Sequence, residues 1–281
     1  MSKQLLRLYP QPSEPVDLHG LYLAHALHTL GRDGQPFVYA NFLSSLDGRI
    51  AVEDAQRDHP YIPKHISTDS DLRLFLELQA QADCLITHGG YMRALNEGRL
   101  GNILQVGAQP GSEDLAAWRS QQGLPPQPAV VIASASLDFP LHHSLREAGQ
   151  TVFIATGRAA DPERVNAWQA QGCQVLHVGE ARSVQGAALV RELGRLGYRS
   201  IYLVAGPQML DTMVRERQLS RLYHTITHQL VGGADIHTML PGPLLGAEGN
   251  LRLRSLHYDP DTPKDAGQFF AQFQTALEAL T

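Results

Sequence analysis

Short, almost wholly apolar runs alternate along most of this chain with longer stretches in which apolar residues recur every third or fourth position. The first pattern belongs to strands buried on both faces, the second to helices with one buried stripe. Residues 37–43 (FVYANFL) read as a buried strand, which Asp47-Gly48 ends in a turn. Residues 69–81 carry Leu72, Phe75, Leu76 and Gln79 on one helical face, and 82–87 (ADCLIT) form the next strand. The alternation continues through helices at 112–122, 142–148, 161–171 and 184–196 and strands at 129–134, 151–156, 174–178 and 200–205. Such an order needs crossover connections and predicts a largely parallel sheet covered on both faces.

The two ends of the chain break this rhythm. After a Pro-rich leader, residues 17–30 set Leu18, Leu21, Tyr22 and His25 on one face and predict a helix, which 31–36 terminates. Residues 221–230 and 251–258 alternate polar with apolar, as antiparallel strands do when one face is wet. In the second of them the apolar set shifts from Leu251 and Leu253 to Leu256 and Tyr258, which predicts a bulge near Ser255. Residues 269–280 predict a closing amphipathic helix, and only 124–128 resembles a linker. The chain therefore divides into an N-terminal extension with one helix (1–35) and one large domain (36–281).

Composition narrows the function classes. With 281 residues, 43% of them hydrophobic, the chain can bury a full core. Its net charge of -5, without any basic block, argues against a nucleic-acid groove. No segment has the length and apolarity of a signal peptide or a bilayer span, so a cytoplasmic protein is expected. Cys84 and Cys173 lie in apolar runs and read as free thiols. The 13 histidines form no HExxH and no tight ligand cluster, and no metal is expected. Of these histidines, His65 and His88 flank the cleft inferred next.

Two strand-to-helix junctions carry candidate chemistry: Thr87-His88-Gly89-Gly90-Tyr91 and Ala205-Gly206-Pro207-Gln208-Met209. In a parallel sheet both lie at carboxyl ends of strands, where glycines admit a ligand to the backbone and helix N-termini offer free N–H groups to phosphate. Ser134 and Thr156-Gly157-Arg158 mark two further strand ends; Arg158 either meets a 2′-phosphate or faces solvent. The first strand delivers Asn41, Ser44, Ser45 and Asp47 to the same edge, a set suited to a planar hydrogen-bonding ring such as a nicotinamide carboxamide or a pyrimidine. The alternative is a capped turn in which Asp47 bonds its own backbone.

The order SSLDGRIA, QAQADCLITHGGYMRAL, LVAGPQMLDTMV and HQLVGG resembles the reductase domain of bifunctional riboflavin-biosynthesis proteins, the RibD C-terminal family, from about residue 36 onward. The resemblance implies a three-layer dihydrofolate-reductase-like α/β fold with a mixed, mostly parallel central sheet and an antiparallel C-terminal strand pair. It also implies NADPH, a homodimer, and hydride transfer to the ribosyl group of an aminopyrimidine ribosyl phosphate. Carried over by motif, the cofactor set is Leu43, Ser44, Gly89, Gly90, Tyr91, Ser134, Gly206, Pro207, Gln208, Met209 and Leu210. Asn41 takes the substrate-facing position and joins Ser45 and Asp47 as the catalytic set, with Asp47 either relaying a proton or holding the turn.

The chain also departs from the family. Val204 stands where the family has a substrate-reaching Glu, Tyr91 replaces the loop threonine, and the Asp-Asp-Pro phosphate run becomes Leu95-Asn96-Glu97-Gly98-Arg99. The HxE and PCxxC elements of the zinc deaminase partner are absent, leaving the reductase half alone. Two other readings therefore stand beside the pyrimidine reductase. One is a same-fold nucleotide binder or reductase of another small molecule; the other is a dimeric scaffold built on the C-terminal strands.

Overall fold

The computed structural model describes residues 3–53, 60–262 and 265–275. Among these, eleven strands form one sheet: β1 (Gln4–Tyr9), β2 (Glu14–Asp17), β3 (Phe37–Ser45), β4 (Cys84–His88), β5 (Ala129–Ala133), β6 (Val152–Thr156), β7 (Gln174–His177), β8 (Ser200–Leu203), β9 (Arg221–Thr227), β10 (Arg252–Asp259) and β11 (Gln268–Gln274). Their order across the sheet is β2-β1-β10-β11-β9-β3-β8-β4-β5-β6-β7. From β9 to β7 every pairing is parallel; from β9 outward through β11, β10, β1 and β2 every pairing is antiparallel. The expected C-terminal strand pair is thus part of a larger antiparallel wing.

Among the described residues, seven helices cover the two faces: α1 (Asp69–Ala80), α2 (Gly89–Asn96), α3 (Glu113–Gln121), α4 (His143–Glu147), α5 (Pro162–Ala170), α6 (Gly186–Arg195) and α7 (Pro207–Arg215). Side chains alternate across each strand, so Tyr39, Leu85, Val130 and Tyr202 meet Leu74, Leu78, Tyr91, Leu95 and Trp168 of the layer holding α1, α2 and α5. Val38, Ile86, Val131 and Ile201 meet Leu189, Leu193, Leu210 and Met213 of the layer holding α6 and α7. No helix among the described residues is long and apolar enough to cross a membrane.

Two sequence expectations are corrected. Residues 17–30 do not form a helix: β2 ends at Asp17, and two single 3-10 turns follow, Leu23–His25 and Leu27–Thr29. Side chains of α1 and of Gln81, which caps its C-terminus, supply the hydrogen bonds a helix would have made for itself. The Glu77 carboxylate accepts from Gly20 N–H (2.6 Å) and Tyr22 N–H (2.9 Å), and Gln81 accepts from Leu27 N–H (2.8 Å) while donating to Tyr22 C=O (2.9 Å). At the other end, the predicted helix over 269–280 is instead β11, inserted between β10 and β9; residues 276–281 lie outside the described residues. Both neighbours need the backbone of this segment, and Phe270 and Ala271 are buried on opposite faces. A short apolar run of this kind does not by itself separate strand from helix. The bulge near Ser255 is present as a register shift between Leu253 and Ser255.

Candidate active site

The turn after β3 is closed on itself. Gly48, at φ +82°, donates to Ser45 C=O (3.0 Å), and Ser45 N–H donates to Arg49 C=O (2.9 Å). The Ser45 hydroxyl donates to Asp47 Oδ1 at 2.5 Å, and the same carboxylate accepts from Arg49 Nη1 (2.5 Å), Val231 N–H (3.1 Å) and Gly232 N–H (2.9 Å). The Ser45 hydroxyl, the Gly232 and Val231 amides and the Arg49 cation hold the carboxyl well below the ordinary carboxylate range. Asp47 is therefore ionised and hydrogen-bond saturated, and it fastens residues 231–233 to the turn. Ser44 points to the opposite layer, where its hydroxyl meets His224 Nε2 at 2.8 Å.

Beside this turn the sheet opens. β3 and β8 pair only from Phe37 with Ser200 to Ala40 with Leu203, whereas β3 continues along β9 as far as Ser45 with Thr227. Past Leu203, β8 leans the other way, Val204 N–H donating to Ile86 C=O at 2.9 Å. Two parallel strands that separate at their carboxyl ends leave a slot, the usual ligand position of open α/β sheets. Asn41, Leu43 and Val204 are half-buried at its rim, and the Asn41 amide lies beside the Tyr202 hydroxyl.

Sequence reasoning missed Asp71. It sits in the first turn of α1, buried, with its carboxyl bonded by Thr225, which is the register partner of Leu43. Its Oδ1 has no partner, and burial pushes the carboxyl up to about 6. An acidic residue in a helix first turn is ordinary on dipole grounds, so nothing in the local sequence marks it.

The two glycine junctions meet. A cavity of about 490 Å³ is lined by His88, Ser134, Gly206, Pro207, Gln208 and Met209, with Ser183 and Val184 from the segment before α6 also bordering it. The α7 helix starts at Pro207, whose missing N–H costs that position nothing. The N–H groups of Gly206 and Gln208 make no hydrogen bond among the described residues, so two amide donors border the cavity at a helix N-terminus. Ser134 Oγ accepts from Leu137 N–H (2.9 Å) and keeps its own proton to donate.

Not every residue of the expected set reaches this space. Tyr91 turns into the core, donating from its hydroxyl to Gly101 C=O (2.9 Å) and accepting from Ile103 N–H (3.0 Å). Leu210 is fully buried among the residues beneath α6 and α7. Gly89 is covered, since a Cβ there would come within 2.7 Å of the Phe139 ring. His65 is exposed and lines no part of the cavity, and Arg158 pairs with Glu180 at 3.5 Å on the surface.

Known proteins resemble this chain in sequence and in fold. A 2,5-diamino-6-ribosylamino-4(3H)-pyrimidinone 5′-phosphate reductase of Archaeoglobus fulgidus is 25% identical over 208 residues, spanning 74% of this chain and 87% of the relative. A pyrimidine reductase-like protein of Corynebacterium diphtheriae superposes with a TM-score of 0.60 at 16% identity, covering 86% of this chain and 92% of the other. The riboflavin biosynthesis reductase of Saccharomyces cerevisiae does so with a TM-score of 0.58 at 14% identity, covering 92% and 99%. The fold is thus the three-layer, mixed-sheet α/β arrangement of these reductases, of the dihydrofolate-reductase-like type. With residues 36–263 matching the family model, this chain belongs to the RibD C-terminal domain family.

Proposed function

We propose that the chain is an NADPH-dependent reductase that acts on the ribosyl group of an aminopyrimidine ribosyl phosphate. One observation carries the reading: the cavity at the ends of β4, β5 and β8 and the slot between β3 and β8 lie at the same carboxyl edge of the sheet, and the junction Val204-Ala205-Gly206 links the rim of one to the lining of the other along the chain. The Archaeoglobus fulgidus relative, by its name, reduces a compound of this class. Gly206, Gln208 and Ser134 would bind the phosphates, and the backbone around Leu43 would meet the nicotinamide. NADPH supplies the hydride when bound, and the protein supplies alignment and a dry surrounding.

Asn41 is the polar side chain at the slot rim and would orient the sugar. Asp47 holds the turn rather than moving a proton, because its carboxylate is saturated. Asp71 is the carboxyl on this face whose ionisation falls within a unit or so of neutrality, and it would hold a proton near the rim. In this reading the protein works as a cytoplasmic homodimer, which light scattering checks.

The test is loss of NADPH absorbance on adding the diamino ribosyl phosphate or its uracil counterpart. Turnover with either supports the reading, and tight NADPH binding without turnover on both overturns the substrate assignment. The second reading, a reductase of a different small molecule, is favoured by Val204, an apolar side chain at the rim where the family's Glu would reach the substrate.

A further inference from the structure

We propose that His88 is a cofactor-positioning residue of this chain: its neutral imidazole, pinned at Nδ1 by the helix it caps, donates Nε2–H to the phosphate bridge of the dinucleotide. The proposal rests on the reading that the cavity takes NADPH.

His88 is the last residue of β4 and the N-cap of α2, and its Nδ1 accepts from Tyr91 N–H at 3.3 Å. A neutral imidazole carries one proton, so acceptance at Nδ1 puts that proton on Nε2. Burial, with a smaller contribution from Arg93, lowers the ring's affinity for a second proton, and the ring is neutral at physiological pH. Among the described residues no acceptor takes up the Nε2 proton, and the ring lines the cavity.

The neighbouring glycines gain a second meaning from this ring. A Cβ on Gly90 would stand 2.9 Å from His88 Nδ1 and 3.0 Å from its Cε1, while one on Gly206 would stand 3.7 Å from Nε2. Gly90 lies inside α2, and Gly206 has φ -71°, so neither backbone conformation requires glycine. What both positions provide is room, on one side for the ring itself and on the other for whatever the ring faces. Nε2–H then joins the Gly206 and Gln208 amides and the Ser134 hydroxyl as a fourth donor around one space. Phosphate oxygens only accept hydrogen bonds, and a lining that holds these donors and no carboxylate matches them.

His88→Ser separates capping from contact. Serine is a strong N-cap but too short to reach the cavity. The variant is expected to keep the unfolding temperature of the wild type while its Kd for NADP⁺ rises about ten- to a hundredfold, the range of one hydrogen bond to a charged group. Gly206→Ala, which sets a methyl against Nε2 and leaves the Nδ1 cap intact, is expected to weaken NADP⁺ binding as well. In the wild type, imidazole ¹⁵N NMR should find the proton on Nε2 and a shift of that resonance on adding NADP⁺. Wild-type affinity in His88→Ser, a proton on Nδ1, or an unmoved Nε2 resonance in a protein that binds NADP⁺ would overturn the proposal alone. Failure of the wild type to bind either NADP⁺ or NADPH overturns the cavity reading and the proposal together. Should His88→Ser not fold, the ¹⁵N measurement on the wild type decides.

Discussion

The turn after β3 and the cavity at the ends of β4, β5 and β8 lie on the same edge of the sheet and use their hydrogen-bonding groups in opposite ways. In the turn, the hydroxyls of Ser44 and Ser45, the Asp47 carboxylate and both terminal nitrogens of the Arg49 guanidinium are engaged by one another or by other parts of the chain. In the cavity, the Gly206 and Gln208 amides and the outer nitrogen of His88 are left open. A closed rim keeps its shape without a ligand, and an open one is completed by a ligand. Preorganised donors of this kind cost little reorganisation on binding. The motif most prominent in the sequence, SSLDG, therefore serves mainly as a frame.

Four variants test that division. Filling the open rim should cost most: Gly206→Val is expected to weaken NADPH binding by about a hundredfold, since a branched side chain excludes the ligand from His88 and the α7 N-terminus. Fluorescence titration measures it, and unchanged affinity would remove the cavity from the site.

Asp71→Asn tests the buried carboxyl at the slot. Its folded pKa, about 6, lies above its unfolded value, so its ionisation destabilises the fold at neutral pH, and that penalty is relieved as pH falls from above 6 toward 4. The variant should be more stable at pH 7 by on the order of 2–3 kcal/mol, with a flatter stability profile below pH 6, while turnover falls. Urea unfolding at several pH values checks the first part and NADPH oxidation the second.

Asp47→Ala tests the closed rim. It leaves the Val231 and Gly232 amides without their acceptor and is expected to lower the unfolding temperature, with a smaller loss of cofactor affinity than Gly206→Val. The sign of its pH dependence is opposite to that of Asp71. The depressed carboxyl contributes stability above its unfolded pKa and loses it as pH falls through the folded value. Smallest of all, Ser44→Ala removes one hydrogen bond to a neutral, half-buried His224 and should cost about 1 kcal/mol in urea unfolding, with cofactor affinity unchanged.

The parallel half of the fold was legible because its signal is local. Runs such as FVYANFL, ADCLIT and SIYLVA are each apolar on both faces, and the structure makes each the core of a strand. The N-terminal segment was misread because its order comes from a distance. Leu18, Leu21, Tyr22 and His25 have helical spacing, but Glu77 and Gln81, more than fifty residues on, take the backbone N–H groups of Gly20, Tyr22 and Leu27. At the site, the glycine junctions and Ser134 could be placed by their positions after strands. Pattern could not show that Tyr91 faces inward, that Asp47 is saturated, or that His88 stands between two glycines, because each depends on which neighbour the fold brings within reach.

The two ends of the chain also bear on how the molecule assembles during synthesis. The strands β4 to β7 pair each with the next and can zip together in the order in which they leave the ribosome. In contrast, β8 has to enter between β3 and β4, already made, and Leu6 of β1 waits about 250 residues for Tyr258. The nascent chain thus carries an unpaired strand edge through most of translation, and such an edge is where premature strand pairing would begin.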